Sequence, residues 1–341
     1  MLDKLQNPEL DAPLNQLLYA SQTPNYQAII PNHLQKIRQN NAALCAALKM
    51  KIARPFSFNL ESFYFLLNFL TKHYKVALAL SSHNMLYQAY LQCDDKDNII
   101  PLLPNFTTGV IDESILQNAL ALGADCFLLP HINEDILTQN AVESLPKNVL
   151  KIIDISYTIP LHLPLPNADI MLLNGENLGI MRPYGILASN HVSFYGISNV
   201  YLEVQNLYAV FLEAMMKYAK SNTAFAENLS KSFFRYLQAN LGENCYYFYN
   251  TPPNTLCLGL KNIKARNLIQ SLIFDGIHII NGQECLFGFN QPSFVLRLMG
   301  YTEAQARELL SLSFLGITPS LIPQVAQKIA QKYLQLRQLD I

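Results

Sequence analysis

The chain is poor in charge: 14% of its residues are Asp, Glu, Lys or Arg, and the net charge is -1. No basic or acidic run dominates. Binding to nucleic acid therefore has no electrostatic support. No stretch of roughly 18 apolar residues occurs, so no membrane span is expected. The most apolar stretch, FYFLLNFLTKHYKVALAL, is broken by Asn68, Lys72, His73 and Lys75. The first residues, MLDKLQNPELDAPLNQ, lack a basic-then-apolar signal pattern, and a cytoplasmic protein is expected. Six cysteines (Cys45, Cys93, Cys126, Cys245, Cys257, Cys285) are scattered without a CxxC pair. That excludes the usual zinc and disulfide frameworks and leaves free thiols as the default. Tryptophan is absent, which decides nothing about function. Internal repeats and low-complexity tracts are absent too.

What is present is apolar and periodic. Half of the 341 residues are hydrophobic. A chain of that length exceeds what one core usually serves, so two domains are expected. Helices are predicted over 33–49 and 60–72 from apolar spacing of three and four. Then short apolar runs alternate with helical ones. KVALAL (75–80), NIIPLL (98–103), DCFLLP (125–130), VLKIID (149–154) and ADIMLL (168–173) read as strands buried on both faces. DESILQNALALG (112–123) has an acidic start and a glycine past its end, a helix signature. Ser81-Ser82-His83 opens another helix, with a serine suited to capping. YGILAS (184–189) is expected to be antiparallel or at an edge. This rhythm implies a mostly parallel sheet with helices on both faces.

A long helical region, about 200–241, separates this part from a different one. CYYFY (245–249), TLCLGL (255–260), IHIIN (277–281) and LSLSFL (310–315) read as short strands, and helices are predicted at about 262–274, 292–299 and 319–337. CYYFYN is expected to be a core strand. The expected division is a large α/β domain at 20–205 and a smaller C-terminal α+β domain at 206–341, joined by residues 1–19.

Ligands of open parallel sheets collect beyond the carboxyl ends of the strands. His83, Asp154, the turn Asn174-Gly175-Glu176-Asn177, and His131 with Asn133 all stand at such ends. Each also has an ordinary structural reading. His83 can be a polar residue at a helix start, and Asp154 a strand-end carboxylate that has found N–H partners. His131 and Asn133 can serve backbone groups, and Glu176 with Asn177 can simply close a turn.

The order of these pieces resembles the cysteine desulfurases of the class V aminotransferase family, which use pyridoxal phosphate (PLP). The pieces are strand-S-S-H, strand-H-I-N-E-D, strand-D-I-S-Y and A-D-I-M-L-L-N-G-E-N, followed by Q-P-S-F-V-L-R-L-M-G (291–300) and L-S-L-S-F-L-G. The resemblance implies a type I PLP-dependent transferase fold, usually a homodimer. It implies that His83 matches the histidine stacked on the cofactor ring. Asp154 matches the aspartate that keeps the pyridine nitrogen protonated. Cys285 matches the loop cysteine that carries persulfide, although its neighbours Glu284, Leu286 and Phe287 offer no cation to favour a thiolate.

The same alignment of motifs shows departures. The Schiff-base lysine position is Asn177, and no lysine lies between Lys151 and Lys217. The preceding histidine is Glu176, whose carboxylate would repel a phosphate by roughly 1 kcal/mol per charge pair at 4 Å in water. The phosphate loop reads Ser57-Phe58-Asn59-Leu60-Glu61, with Phe58 where space is needed. The asparagine at the cofactor's ring oxygen is Glu134, the glutamine after the aspartate is Tyr157, and the substrate-carboxylate arginine is Ser311. The expectation is a desulfurase-like chain without covalently held PLP, acting by binding to a sulfur-acceptor protein or an active desulfurase, or using the cleft for another small molecule. Two alternatives stand beside it: a persulfide relay through Cys285 without PLP, and weak chemistry on noncovalently bound PLP.

Overall fold

A computed structural model describes residues 2–19, 31–191, 206–220, 228–282 and 291–339. Helices α1 (Ala12–Tyr19) and α2 (Pro31–Leu48) precede strand β1 (Ile52–Pro55). Then follow α3 (Leu60–Thr71), β2 (Val76–Ala79), α4 (Asn84–Gln92), β3 (Ile99–Leu102), α5 (Glu113–Ala121), β4 (Cys126–Pro130), β5 (Leu150–Asp154), β6 (Ile170–Asn174) and β7 (Gly185–Ser189). The later elements are α6 (Leu207–Lys220), α7 (Leu229–Leu241), β8 (Cys245–Tyr247), β9 (Thr255–Leu260), α8 (Ala265–Ile273), α9 (Phe294–Leu298), α10 (Glu303–Ala306), β10 (Leu309–Ser313) and α11 (Ile322–Gln338).

Seven strands form one sheet in the order β1-β7-β6-β5-β4-β2-β3. From β3 to β6 every pairing is parallel, while β7 runs antiparallel to both β6 and β1. Side chains alternate along a strand, so each apolar run feeds two cores. Ala77, Ala79, Phe127, Leu129, Ile153, Met171 and Leu173 pack on one face, with Leu44, Leu48, Leu116 and Phe211 from helices. Val76, Leu78, Cys126, Leu128, Ile152, Ile170 and Leu172 pack on the other, with Phe63, Leu66, Leu86 and Ala89. Burial on both faces is why these strands read as continuous apolar runs. Helix α3 starts where Asn59 accepts a hydrogen bond from the Ser62 N–H at 3.0 Å, and it buries Phe63, Leu66, Leu67 and Leu70 at helical spacing.

A second sheet, β10-β9-β8, is antiparallel. It shares a core with α7, α8 and α11 through Phe233, Leu258, Leu268, Leu310 and Ile329.

YGILAS is antiparallel, as expected, with β1 lying outside it. Other sequence expectations need correction. The run 277–281 forms an isolated bridge, Ile280 to Ser311, rather than a strand. The described part of 200–241 is helical as expected, in α6 and α7. Of the CYYFYN run only Cys245–Tyr247 form a strand, half-buried and at the sheet edge; Phe248 just beyond it is buried and Tyr249 is exposed. The residue that caps α4 is His83 and not a serine: its Nδ1 accepts from the Met85 N–H at 3.1 Å.

The approach of β1 to β7 is tight. Phe56 N–H donates to the Gly185 carbonyl at 2.9 Å, and a Cβ at Gly185 would lie 2.5 Å from the Phe56 oxygen and 2.9 Å from the Phe58 ring. Gly185→Ala should therefore destabilise the protein by about 1–3 kcal/mol. Urea unfolding measures this, and an unchanged midpoint would mean the two strands are not in such close contact.

Candidate functional site

Register sets the site. Asp154 ends β5 opposite Pro130 of β4 and Leu172 of β6, so the loops after these strands start side by side. Ser82, His83, Ile132, Glu134, Asp154, Ser156, Tyr157 and Asn177 line one small cavity there. It has room for about one water. Five sequence-predicted residues thus meet: His83, Glu134, Asp154, Tyr157 and Asn177. Glu176 does not line the cavity but pairs with Arg182. Cys285 lies outside the described residues.

His83 is held from several sides. Phe58 and Phe63 pack against its ring with centroids at 5.5 and 5.6 Å. With Nδ1 accepting from Met85, the proton of the neutral ring sits on Nε2, 3.9 Å from Glu134 Oε1. Burial and then the Arg182 charge lower the His83 pKa to about 4. Glu134 is buried and its Oε2 accepts from the Asn84 N–H at 3.1 Å, so it also holds the start of α4.

Asp154 carries the opposite shift. Burial raises its pKa to about 6, against hydrogen bonds to its Oδ1 from Ser156 Oγ at 2.5 Å and Ser156 N–H at 2.9 Å. Ser156 Oγ in turn accepts from the Asn174 N–H at 2.9 Å, which ties the β5 end to the turn after β6. That turn is a short 3-10 segment, Gly175–Leu178. Asn174 caps it by accepting from the Glu176 N–H, and Gly179 closes it at φ 77°.

Asn177 is buried, and its Nδ2 donates to the Leu5 carbonyl at 3.5 Å. Leu5 itself packs with Ile132, Leu137, Tyr157 and Leu161. Two of these, Ile132 and Tyr157, also wall the cavity. The Gln6 side chain donates to the Glu134 carbonyl at 3.4 Å.

His131 and Asn133 are consumed by structure. His131 Nδ1 meets Thr158 Oγ1 at 2.8 Å and its Nε2 meets Gln139 at 3.0 Å. Asn133 bonds Ser81, Gly109, Thr138 and Asn140. Ser311 is buried and donates to the Asp135 carbonyl, while Ser293 Oγ donates to Asp135 Oδ2 at 2.6 Å. Ser156, Ile132, Leu5 and Arg182 escaped sequence reasoning. Ser156 had a signal, since an aspartate two residues ahead commonly accepts from that backbone. Leu5 had none, being 172 positions from Asn177.

No known family profile and no curated protein sequence matches the chain. Solved structures do match in shape. A NifS-like protein superposes with a TM-score of 0.73 at 15% identity, over 97% of this chain and 98% of its own. A NifS-like protein from Rickettsia africae gives 0.71 at 14% identity over 99% of both chains. The apo cysteine desulfurase from Thermococcus onnurineus gives 0.74 at 12% identity, over 98% of this chain and 94% of its own. The chain has the type I PLP-dependent transferase fold that these neighbours share.

His83 and Asp154 act oppositely on stability below neutrality. The His83 pKa is lowered, so between about 4 and its ordinary value of 6.5 the unfolded chain binds more protons and stability falls as pH falls. The Asp154 pKa is raised, so between 3.8 and about 6 the folded chain binds more protons and stability falls as pH rises. Asp154→Asn removes only the second effect. From pH 4 to pH 7 the variant should gain up to about 3 kcal/mol relative to the wild type. Urea unfolding at both pH values tests this, and a pH-independent difference would mean Asp154 ionises normally.

Proposed function

We propose that the chain is a cysteine desulfurase-like protein that works without PLP and acts by binding rather than by PLP chemistry. The observation that carries this reading is Asn177. At the position where the resembling family has its Schiff-base lysine stands a carboxamide. Its nitrogen lone pair is delocalised, and its N–H is turned to the Leu5 carbonyl.

The surroundings support the same reading. The cavity between His83, Asp154 and Asn177 has room for about one water, far less than a pyridine ring with its phosphate. Phe58 packs edge-on to His83 and to Phe63 in the loop expected to cradle the phosphate. Glu176 adds a carboxylate on that side, already paired with Arg182. Where the family has a substrate-binding arginine, Ser311 is buried against the Asp135 backbone. The residues present do not fit the cofactor, and noncovalent PLP meets the same lack of space.

Two measurements test this. Purified protein, as isolated and after addition of PLP, should show no cofactor absorbance band. After borohydride, mass spectrometry should find no pyridoxyl group fixed on one particular lysine. A stoichiometric adduct on a single lysine would overturn the proposal. Asn177→Lys restores the amine but not the space, so it too should stay colourless. A band in that variant would mean that the missing amine alone, and not the filled cleft, excludes the cofactor.

A further inference from the structure

We propose that the open edge of β8 is a docking site for an extended segment of another protein, added as a fourth strand, with acidic residues at alternate positions and apolar ones between them. The other sheet edges of the described residues are protected. β1 carries Arg54 and Pro55, and β3 carries the exposed Pro101, which has no N–H to offer. The outer side of β10 is taken, since Ser311 N–H donates to the Ile280 carbonyl at 2.9 Å and Ser313 N–H to the Leu2 carbonyl at 2.7 Å. β8, Cys245-Tyr246-Tyr247, has neither charge nor proline. Phe248 N–H donates to the Cys257 carbonyl at 3.2 Å and Lys261 N–H to the Asn244 carbonyl at 2.9 Å, so the even-numbered residues bond to β9. Antiparallel alternation then turns the N–H and carbonyl groups of Cys245 and Tyr247 outward, where no described backbone group pairs with them. Such an edge is a template for one more strand.

The flanks of the edge define what that strand carries. On one face Tyr247 packs on Phe234 of α7 with ring centroids 3.9 Å apart, and the exposed Tyr249 packs on Tyr247 at 4.2 Å. At about 100° per residue, Gln238, Lys231 and Arg235 follow Phe234 round the helix. They lie on the side away from Phe233, whose ring packs on Phe314 just beyond β10. All three are exposed, and α7 holds no Asp or Glu. Lys261, bonded through its backbone to Asn244, is exposed too and offsets Glu243, the acid nearest the strand in sequence. On the other face Tyr246 stacks on Tyr301 at 6.5 Å, and Tyr301 stacks at 4.3 Å on Phe106, which is 52% exposed. Side chains of an added strand alternate between these faces. Those on the α7 side meet cations, which suits carboxylates, and those on the other side meet aromatic rings. A second copy fits worse. Two-fold pairing of β8 with itself sets Lys231 and Arg235 of one α7 beside those of the other, with no acid on either helix.

The test titrates the full chain with two fluorescent peptides, EVEFEVEF and KVKFKVKF, followed by anisotropy. The acidic peptide should bind saturably and at least about tenfold tighter than the basic one. Its affinity should fall as salt rises from about 0.05 M to about 0.5 M. The double variant Lys231→Glu, Arg235→Glu should reverse the preference. Tyr247→Pro should weaken binding of the acidic peptide at least about tenfold, because it removes an outward N–H and none of the bonds to β9. Cys245→Pro removes the other outward N–H and serves where Tyr247→Pro does not melt cooperatively. No saturable binding of the acidic peptide, or equal affinity for both peptides, overturns the proposal. An unchanged preference in the double variant, or full binding by a cooperatively melting proline variant, overturns it equally. Self-association in sedimentation that the proline variant abolishes would assign the edge to a second copy and overturn it too. None of these readouts depends on whether the cleft takes PLP.

Discussion

Four neighbouring parallel strands, β2, β4, β5 and β6, end on one edge of the sheet, and their hydrogen-bonded register leaves little freedom in what comes next. Residues as distant as His83 and Asn177 line the same cavity because of it. Each loop must also satisfy its own backbone, and the same side chains do that work. His83 and Glu134 both accept from the first turn of α4, and Ser156 links the β5 end to the turn after β6. A residue in such a place is structural and site-lining at once. Its presence therefore says little about catalysis.

The electrostatics of the cleft follow from burial in this crowded edge. A neutral imidazole and a carboxyl whose pKa reaches about 6 stand beside the buried Glu134, with Asp135 next in sequence. Arg182 is spent on Glu176. Such a cleft disfavours an anionic ligand, because every added negative charge faces carboxylates in a low dielectric. It tolerates a neutral peptide group, whose N–H and carbonyl can be matched one by one.

Much of this was legible in the sequence where burial is symmetrical. Runs such as KVALAL and VLKIID are apolar throughout because both faces of their strands are covered. Strand β1 was not legible, since Ile52-Ala53-Arg54-Pro55 carries the arginine and proline that an edge strand tolerates. IHIIN looked like a strand from its β-branched residues, yet it finds one bridge partner and no ladder. In the site, the place of Asn177 beside His83 and Asp154 was legible from motif order. That its amide meets the Leu5 carbonyl was not, because no periodicity or local motif connects positions 5 and 177.

On the cofactor-free reading proposed above, the missing amine and the small size of the cavity are linked by packing energy. A cleft shaped for a cofactor and left empty is a cavity, and cavities cost about 24 cal/mol per Å³. A void of about 200 Å³ would cost about 5 kcal/mol, comparable to the whole stability of many domains. A chain without the anchoring lysine must therefore either collapse the space or fill it. Here Tyr157 walls the small space that remains, Phe58 packs on His83, and Leu5 packs behind Ile132 and Tyr157. Once Leu5 is seated, a lysine at position 177 would be a buried amine with a leucine carbonyl as neighbour and no phosphate or aldehyde to engage, an arrangement that burial penalises. Asparagine donates to that carbonyl without burying a charge.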